Sequence, residues 1–235
     1  MIFMTRLLAT IVAATAMSAM WSCSVNDDTI DGDVTMTRYD VVTYGGAADG
    51  IASFVLIGPD DSGERTIHAR ASVDTSAIVP GDRMILTWAE TTGDLASFRG
   101  ATPIYTGPLS LADARLLDTF RGDPVYLMAM WRTGPWLNVR ARLSHSEKPR
   151  IWQLTADSAT LGSPTPRLRL LHRLPKGVSA DSTWMATTYS SFDVSAIVSD
   201  PAVTSFTVEV DNSNLTGLKL SLIHISEPTR HLRIS

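Results

Sequence analysis

Hydrophobic and β-branched positions fall in short runs along most of the chain. Residues 38–44 (RYDVVTY) and 51–57 (IASFVLI) are the first two, separated by Gly45-Gly46 and Gly50. Residues 65–71 and 83–88 follow, the latter entered through the turn signal Pro80-Gly81-Asp82. A fifth run spans 98–106 and holds Pro103, which cannot donate to a ladder and so predicts an edge position. Five short strands in about 70 residues predict a small barrel or sandwich.

The period then changes. Leu111, Ala114, Leu117 and Phe120 sit at helical spacing, with Ser110 as the expected cap. Arg121-Gly122-Asp123-Pro124 ends this helix and marks the expected domain boundary. Beyond it, VYLMAMW and WLNVRARL flank Arg132-Thr133-Gly134-Pro135, which predicts a hairpin. In its second arm Leu137, Val139, Ala141 and Leu143 alternate with Asn138, Arg140 and Arg142, giving one buried and one wet face. Strands expected at 149–156, 166–174, 183–194 and 203–210 complete a β-sandwich.

The first residues read differently. Arg6 is the only charge before Asp27, and Leu7 to Met20 is apolar or small. That is the pattern of a signal peptide, too short for a spanning helix. It ends at Met20-Trp21-Ser22-Cys23, which resembles a bacterial lipobox, with Trp21 and Met20 departing from its usual residues. The resemblance implies cleavage before Cys23 and lipidation of its thiol, with palmitate a common acyl chain; ordinary secretion is the alternative. Two or three acyl chains would anchor the protein stably in a membrane. Residues 24–33 carry four aspartates and no base, which suits a tether. Such acidic residues after a lipidated cysteine also resemble a surface-display signal of Gram-negative anaerobes.

The far end reads LSLIHISEPTR over residues 220–230, like the translation of a transposon-end sequencing adapter. On that reading 220–235 is not native, and His224, Glu227 and His231 carry no functional weight. The expected organisation is a leader over 1–22, a lipidated cysteine and tether over 23–35, one β domain over 36–121, a second over 122–219, and the tail.

Composition removes several classes of function. The chain has 235 residues, 24 acidic against 20 basic, and a formal charge of −4, which argues against nucleic acid as a partner. One cysteine excludes a disulfide framework. No nucleophile elbow, H-E-x-x-H or phosphate loop is present. His68, His145 and His172 share no short metal-ligand spacing, and Asp60 to Glu64 lacks the spacing of a calcium loop. Neither a catalytic residue, a metal nor a cofactor is expected, although carboxylate pairs from distant strands would escape such a search.

Two groups of residues suggest a binding face. Trp131, Trp136, Trp152, Trp184 and Tyr189 all lie in the second half, as sugar platforms or as core. Arg140 and Arg142 share a strand face, and Arg167, Arg169 and Arg173 form a second basic group. Trp131, Trp136, Arg140 and Arg142 are the candidate binding residues, for a protein or an anionic glycan partner.

Four short motifs stand in order along the chain: Val79-Pro80-Gly81-Asp82-Arg83, Gly122-Asp123-Pro124, Gly134-Pro135-Trp136-Leu137-Asn138-Val139 and Phe192-Asp193-Val194-Ser195. Their order resembles that of the NigD-like lipoproteins, and the resemblance covers residues 5–219. The resemblance implies an all-β chain: an N-terminal barrel related to the OB fold, then a C-terminal β-sandwich, with a short helix near the junction. It implies an outer-membrane or cell-surface lipoprotein, or a periplasmic one. The family takes its name from a protein of a bacteriocin operon, which raises immunity or envelope protection; a glycan-acting hydrolase is the enzymatic alternative. It implies no catalytic residues.

Overall fold

A computed structural model describes residues 36–58, 63–71, 78–178, 184–214 and 218–224. The leader, Cys23 and the acidic tether lie outside these residues, as do Asp60, Asp61 and the end of the tail. The described chain is almost entirely β, as the alternating runs predict.

The first sheet contains β1 (Thr37–Ala48), β2 (Ile51–Ile57), β3 (Glu64–Arg70), β4 (Arg83–Ala89) and β5 (Ser97–Pro103), in the order β3-β2-β1-β4-β5. Its two ends approach each other. The Ala96 N–H donates to the His68 carbonyl at 2.8 Å, and Ala69 forms a parallel bridge with Ala96. That closure, with parallel contact between third and fifth strands, gives a small OB-like barrel. Val42, Tyr44, Phe54, Met84, Leu86 and Trp88 fill it. Alternation along β4 places Met84, Leu86 and Trp88 on one face, which is why a seven-residue strand can contribute so much of the core.

The second sheet has eight strands: β6 (Tyr105–Ala112), β7 (Tyr126–Thr133), β8 (Trp136–Ser144), β9 (Ile151–Asp157), β10 (Arg167–Arg173), β11 (Met185–Asp193), β12 (Ser205–Asp211) and β13 (Leu218–His224). Their order is β13-β12-β10-β9-β6-β11-β8-β7. β6 is shared between two layers. Its first half pairs with β11 through Tyr105 to Pro108, and its second half pairs with β9 through Leu109 to Ala112. A strand that changes partner midway makes the corner of a sandwich. The opposite side nearly closes where Val125 bridges Asn212. Leu137, Val139, Leu154, Leu168, Phe192 and Phe206 lie in the core between the layers.

Two local readings of the sequence change. The run at 98–106 is two strands broken at Ile104, where the chain leaves the barrel and enters the sandwich without a loop. Pro103 ends the first, and the Ile104 N–H turns back to the Arg83 carbonyl at 3.0 Å. The change of sheet therefore precedes the expected boundary at residues 121–122, which instead separates α1 from β7. The helix is also shorter than its pattern. Ser110 to Ala112 is drawn into β6, so α1 covers Ala114–Thr119 and is capped by Asp113, whose Oδ1 accepts from the Leu116 N–H at 2.7 Å. A second short helix, α2 (Ser195–Val198), follows β11. β13 takes in residues 220–224, because LSLIH alternates well enough to pair with β12.

Gly122-Asp123-Pro124 is a clamp. The Asp123 N–H donates to the His172 carbonyl at 2.9 Å, and Asp123 Oδ2 accepts from the Leu174 N–H at 2.7 Å. A Cβ on Gly122 would stand 2.2 Å from the His172 carbonyl oxygen and 2.6 Å from Phe120 Cε1. Gly122→Ala should destabilise the fold by about 2 kcal/mol or more, since the obstacle is backbone. Gly162→Ala, where a Cβ meets nothing within 4 Å, is the control for denaturant titration.

His172, beneath this clamp, is 3% exposed. Burial lowers its pKa below the ordinary histidine value. The unfolded chain therefore binds the proton first as pH falls below about 6.5. Stability is complete above that value and is lost as pH drops toward the folded-state pKa. His172→Leu should flatten this part of the stability–pH curve in urea titrations between about pH 7 and 5.

Candidate binding face

Three of the four family-like motifs meet at one place, Gly122-Asp123-Pro124 being the exception. Val79-Pro80-Gly81-Asp82 is a turn closed by the Asp82 N–H on the Val79 carbonyl at 3.1 Å, with Asp82 Oδ2 accepting from the Val79 N–H at 2.8 Å. It delivers Arg83 to the first position of β4, at the end of the barrel that faces the sandwich. Gly134-Pro135 turns β7 into β8 against the same end, where a Cβ on Gly134 would come within 2.9 Å of Ile57 Cδ1. Pro135 also accepts from the Val194 N–H at 2.8 Å, which fixes the end of β11 beside this turn.

Arg83 is 1% exposed and joins the two domains. Its Nη1 donates to Thr43 Oγ1 at 2.9 Å within the barrel. Its Nη2 donates to Asn138 Oδ1 at 3.1 Å, and Nε to Ser191 Oγ at 3.4 Å, both in the sandwich. The guanidinium lies over the Trp136 ring, 5.2 Å from its centroid. Asn138 is bonded at both ends in turn: Oδ1 also accepts from Ser191 Oγ at 2.7 Å, and Nδ2 donates to Thr133 Oγ1 at 2.8 Å. Burial pushes the Arg83 guanidinium down to about 10, so it remains charged at neutral pH.

The wet face of the hairpin thus has two zones. The register sets Asn138 opposite Trp131 and Ser191, Arg140 opposite Ala129 and Tyr189, and Arg142 opposite Tyr126 and Thr187. Trp131, Trp136, Arg140 and Arg142 consequently share one sheet face. Trp136 and Asn138 are covered by Arg83 and the barrel. Arg140 and Arg142 lie beyond it and are exposed. Arg140 rests over the Tyr189 ring at 5.5 Å and Arg142 over Tyr126 at 5.9 Å. Among the described residues, neither guanidinium has a hydrogen bond or a carboxylate partner. Trp131 is half-buried in the same face and makes further contacts of its own.

The second basic group is committed internally. Arg167 meets Glu209 at 2.6 and 2.9 Å and Asp118 at 2.6 Å, and these partners raise its pKa, Glu209 first. Arg169 donates to the Leu117 carbonyl. Arg173 donates to the Arg121 carbonyl and covers Phe120 at 4.5 Å. These arginines strap α1 and the residues just after it to β10, around a cavity of about 370 Å³ lined by Asp118, Phe120, Arg121, Arg167, Arg169 and Glu209. A second cavity of about 380 Å³ opens where β9 and β11 diverge from β6, beside Tyr105, Arg150 and Trp152.

The aromatic residues do not form one platform. Trp152 is core, its Nε1 donating to Ser190 Oγ at 2.7 Å. Trp184 stacks on His145 at 4.5 Å past the end of the hairpin. Tyr189 is under Arg140. Sequence reasoning singled out Arg140 and Arg142 but missed Arg83 and Asn138. The signal was there: Asn is disfavoured inside a strand, and Asn138 stands between Leu137 and Val139.

Solved structures share this fold. A protein of unknown function from Bacteroides vulgatus superposes with a TM-score of 0.62 at 15% identity, over 80% of this chain and 90% of that one. A NigD-like immunity protein from Bacteroides caccae gives 0.53 at 19% identity, over 78% and 91%. The chain shares the fold of a NigD-like protein. A candidate lipoprotein from Bacteroides fragilis gives 0.56 at 9% identity, over 81% and 98%. No family model matches the chain, and no curated protein matches it. The NigD-like resemblance in the motif order agrees with this fold, and three of the four motifs that carry it build the domain junction. Among the described residues, no helix is long and apolar enough to cross a membrane.

Arg83→Ala should cost about 3 kcal/mol or more, because Asn138 and Ser191 keep their burial and lose their donor. Calorimetry should show one transition for the wild type and two for the variant, as barrel and sandwich uncouple.

Proposed function

We propose that this protein is a non-enzymatic lipoprotein scaffold, anchored through Cys23 to the outer membrane, that presents the β7–β8–β11 face to a partner. The supporting observation is the pair Arg140 and Arg142, exposed and unpaired on a sheet face whose other half is already occupied by the barrel. The lipobox-like sequence before Cys23 and the acidic run after it support the address. Asp118 and Glu209, which share a cavity wall, are both held by Arg167, which favours a structural role for these acids over a hydrolytic one. A screen against glycan and peptide libraries tests the reading, with saturable binding without turnover expected. Turnover of any library member would overturn it.

Envelope immunity is a second reading, favoured by the shared fold with a NigD-like immunity protein. Deleting the gene and challenging cells with envelope toxins tests it; unchanged sensitivity would count against it.

For the anchor, Cys23→Ala should move the protein from the membrane fraction to the soluble fraction. It should also abolish labelling by an alkyne fatty acid. Equal labelling of wild type and variant would remove the lipoprotein assignment. Protease treatment of intact cells then separates surface display from a periplasmic location.

A further inference from the structure

We propose that the exposed zone of the β7–β8–β11 face receives an acidic polypeptide, with Arg140 and Arg142 as its two specificity-determining contacts. The inference rests on the scaffold reading above and names the chemistry of the partner.

The electrostatics of the zone point to an anion. Tyr126, Ala129, Arg140, Arg142, Thr187 and Tyr189 share it, and none of them is acidic. A guanidinium laid over a ring keeps its N–H donors in the plane, directed sideways. Arg142 leans over Tyr126 of β7 and Arg140 over Tyr189 of β11, so the two guanidiniums lie on opposite flanks of β8. Two carboxylates reaching them would lie diagonally across three strands. Holding each arginine on its tyrosine in advance lowers the ordering cost of binding.

The shape and the occupied rings favour polypeptide over glycan. Sugar sites use open aromatic faces within a concavity. Here Tyr126 and Tyr189 are each covered by an arginine, and both cavities described above lie on other parts of the sandwich. β7 is also the terminal strand of its sheet, with β8 on one side; on the other edge its start is engaged, where Val125 bridges Asn212 and the Leu127 N–H donates to Asn212 Oδ1, and beyond Leu127 no strand pairs with that edge among the described residues. Backbone groups along such an edge offer hydrogen bonds that an extended peptide matches and a glycan does not.

The experiment uses the full chain in detergent, with immobilised poly-L-glutamate and polygalacturonate as the two probes. Poly-L-glutamate should bind, weaken with added salt, and lose about tenfold or more in affinity in R140E/R142E. R70E/R99E makes the same charge change on the barrel and should stay within about twofold of wild type. Both arginines are exposed, so circular dichroism and melting should match wild type; R140Q/R142Q serves if the reversal fails to fold. Equal loss in both double variants would overturn the proposal, as would no change in either. Tighter binding of polygalacturonate through the same two arginines would also overturn it while leaving the scaffold reading intact. Binding of neither probe would overturn it too. The scaffold reading fails separately, by turnover in the library screen.

Discussion

The two-domain arrangement depends on a buried cation, Arg83, that has no carboxylate partner among the described residues. Moving a guanidinium out of water costs several kcal/mol, and an attractive ion pair does not offset that cost here. It is offset by neutral dipoles placed in the plane of the guanidinium and by a tryptophan ring below it. Thr43, Asn138 and Ser191 come from three different strands, and each must be in register for the cost to be met. The junction is therefore unforgiving in geometry. Any relative slip of barrel and sandwich leaves a charge buried and unsatisfied, which is worse than an apolar mismatch of the same size.

The same reasoning explains how much was legible beforehand. Alternation along 136–143 located the buried face, Leu137, Val139, Ala141 and Leu143, as the structure has it, because period-2 patterning is a local property; of the face read as wet only Arg140 and Arg142 are exposed, since the barrel covers Asn138. The break at Gly122-Asp123-Pro124 was also visible, since proline and glycine act through their own backbone. The misread stretch is 98–120. There Leu111 satisfies a helical spacing with α1 by chance, while strands β9 and β11, far along the chain, capture residues 105–112 as β6. Local periodicity cannot report a partner so distant in sequence. The convergence of Arg83, Trp136, Asn138 and Ser191 was invisible for the same reason, although their motifs stood out singly.

Five arginines drew attention in the sequence, and the structure divides them by use. Arg167, Arg169 and Arg173 find carbonyls and carboxylates within the fold, so their charge is spent on holding α1 and the turn that follows it. Arg140 and Arg142 find only rings. A strand face offers no nearby carbonyls, because the ladder has already used them, so an outward arginine there must choose between solvent, an aromatic neighbour and a partner. Composition counts all five alike; only the topology separates the fastening charges from the available ones.

The strand shared between the two layers has a kinetic consequence. Chains emerge from synthesis with the N-terminus first. The barrel has all its strands once Pro103 has appeared, but β6, which follows at once, pairs with Ile151–Asp157 and Met185–Asp193, which come much later. Until then Tyr105 to Ala112 waits as a bare strand beside a finished barrel that still displays an unsatisfied Arg83. This interval exposes an open edge and an unanswered charge together, and its length is set by the rate at which the last third of the chain arrives. A chaperone acting during synthesis would find its most vulnerable client state in that interval, and the completed fold carries no trace of it.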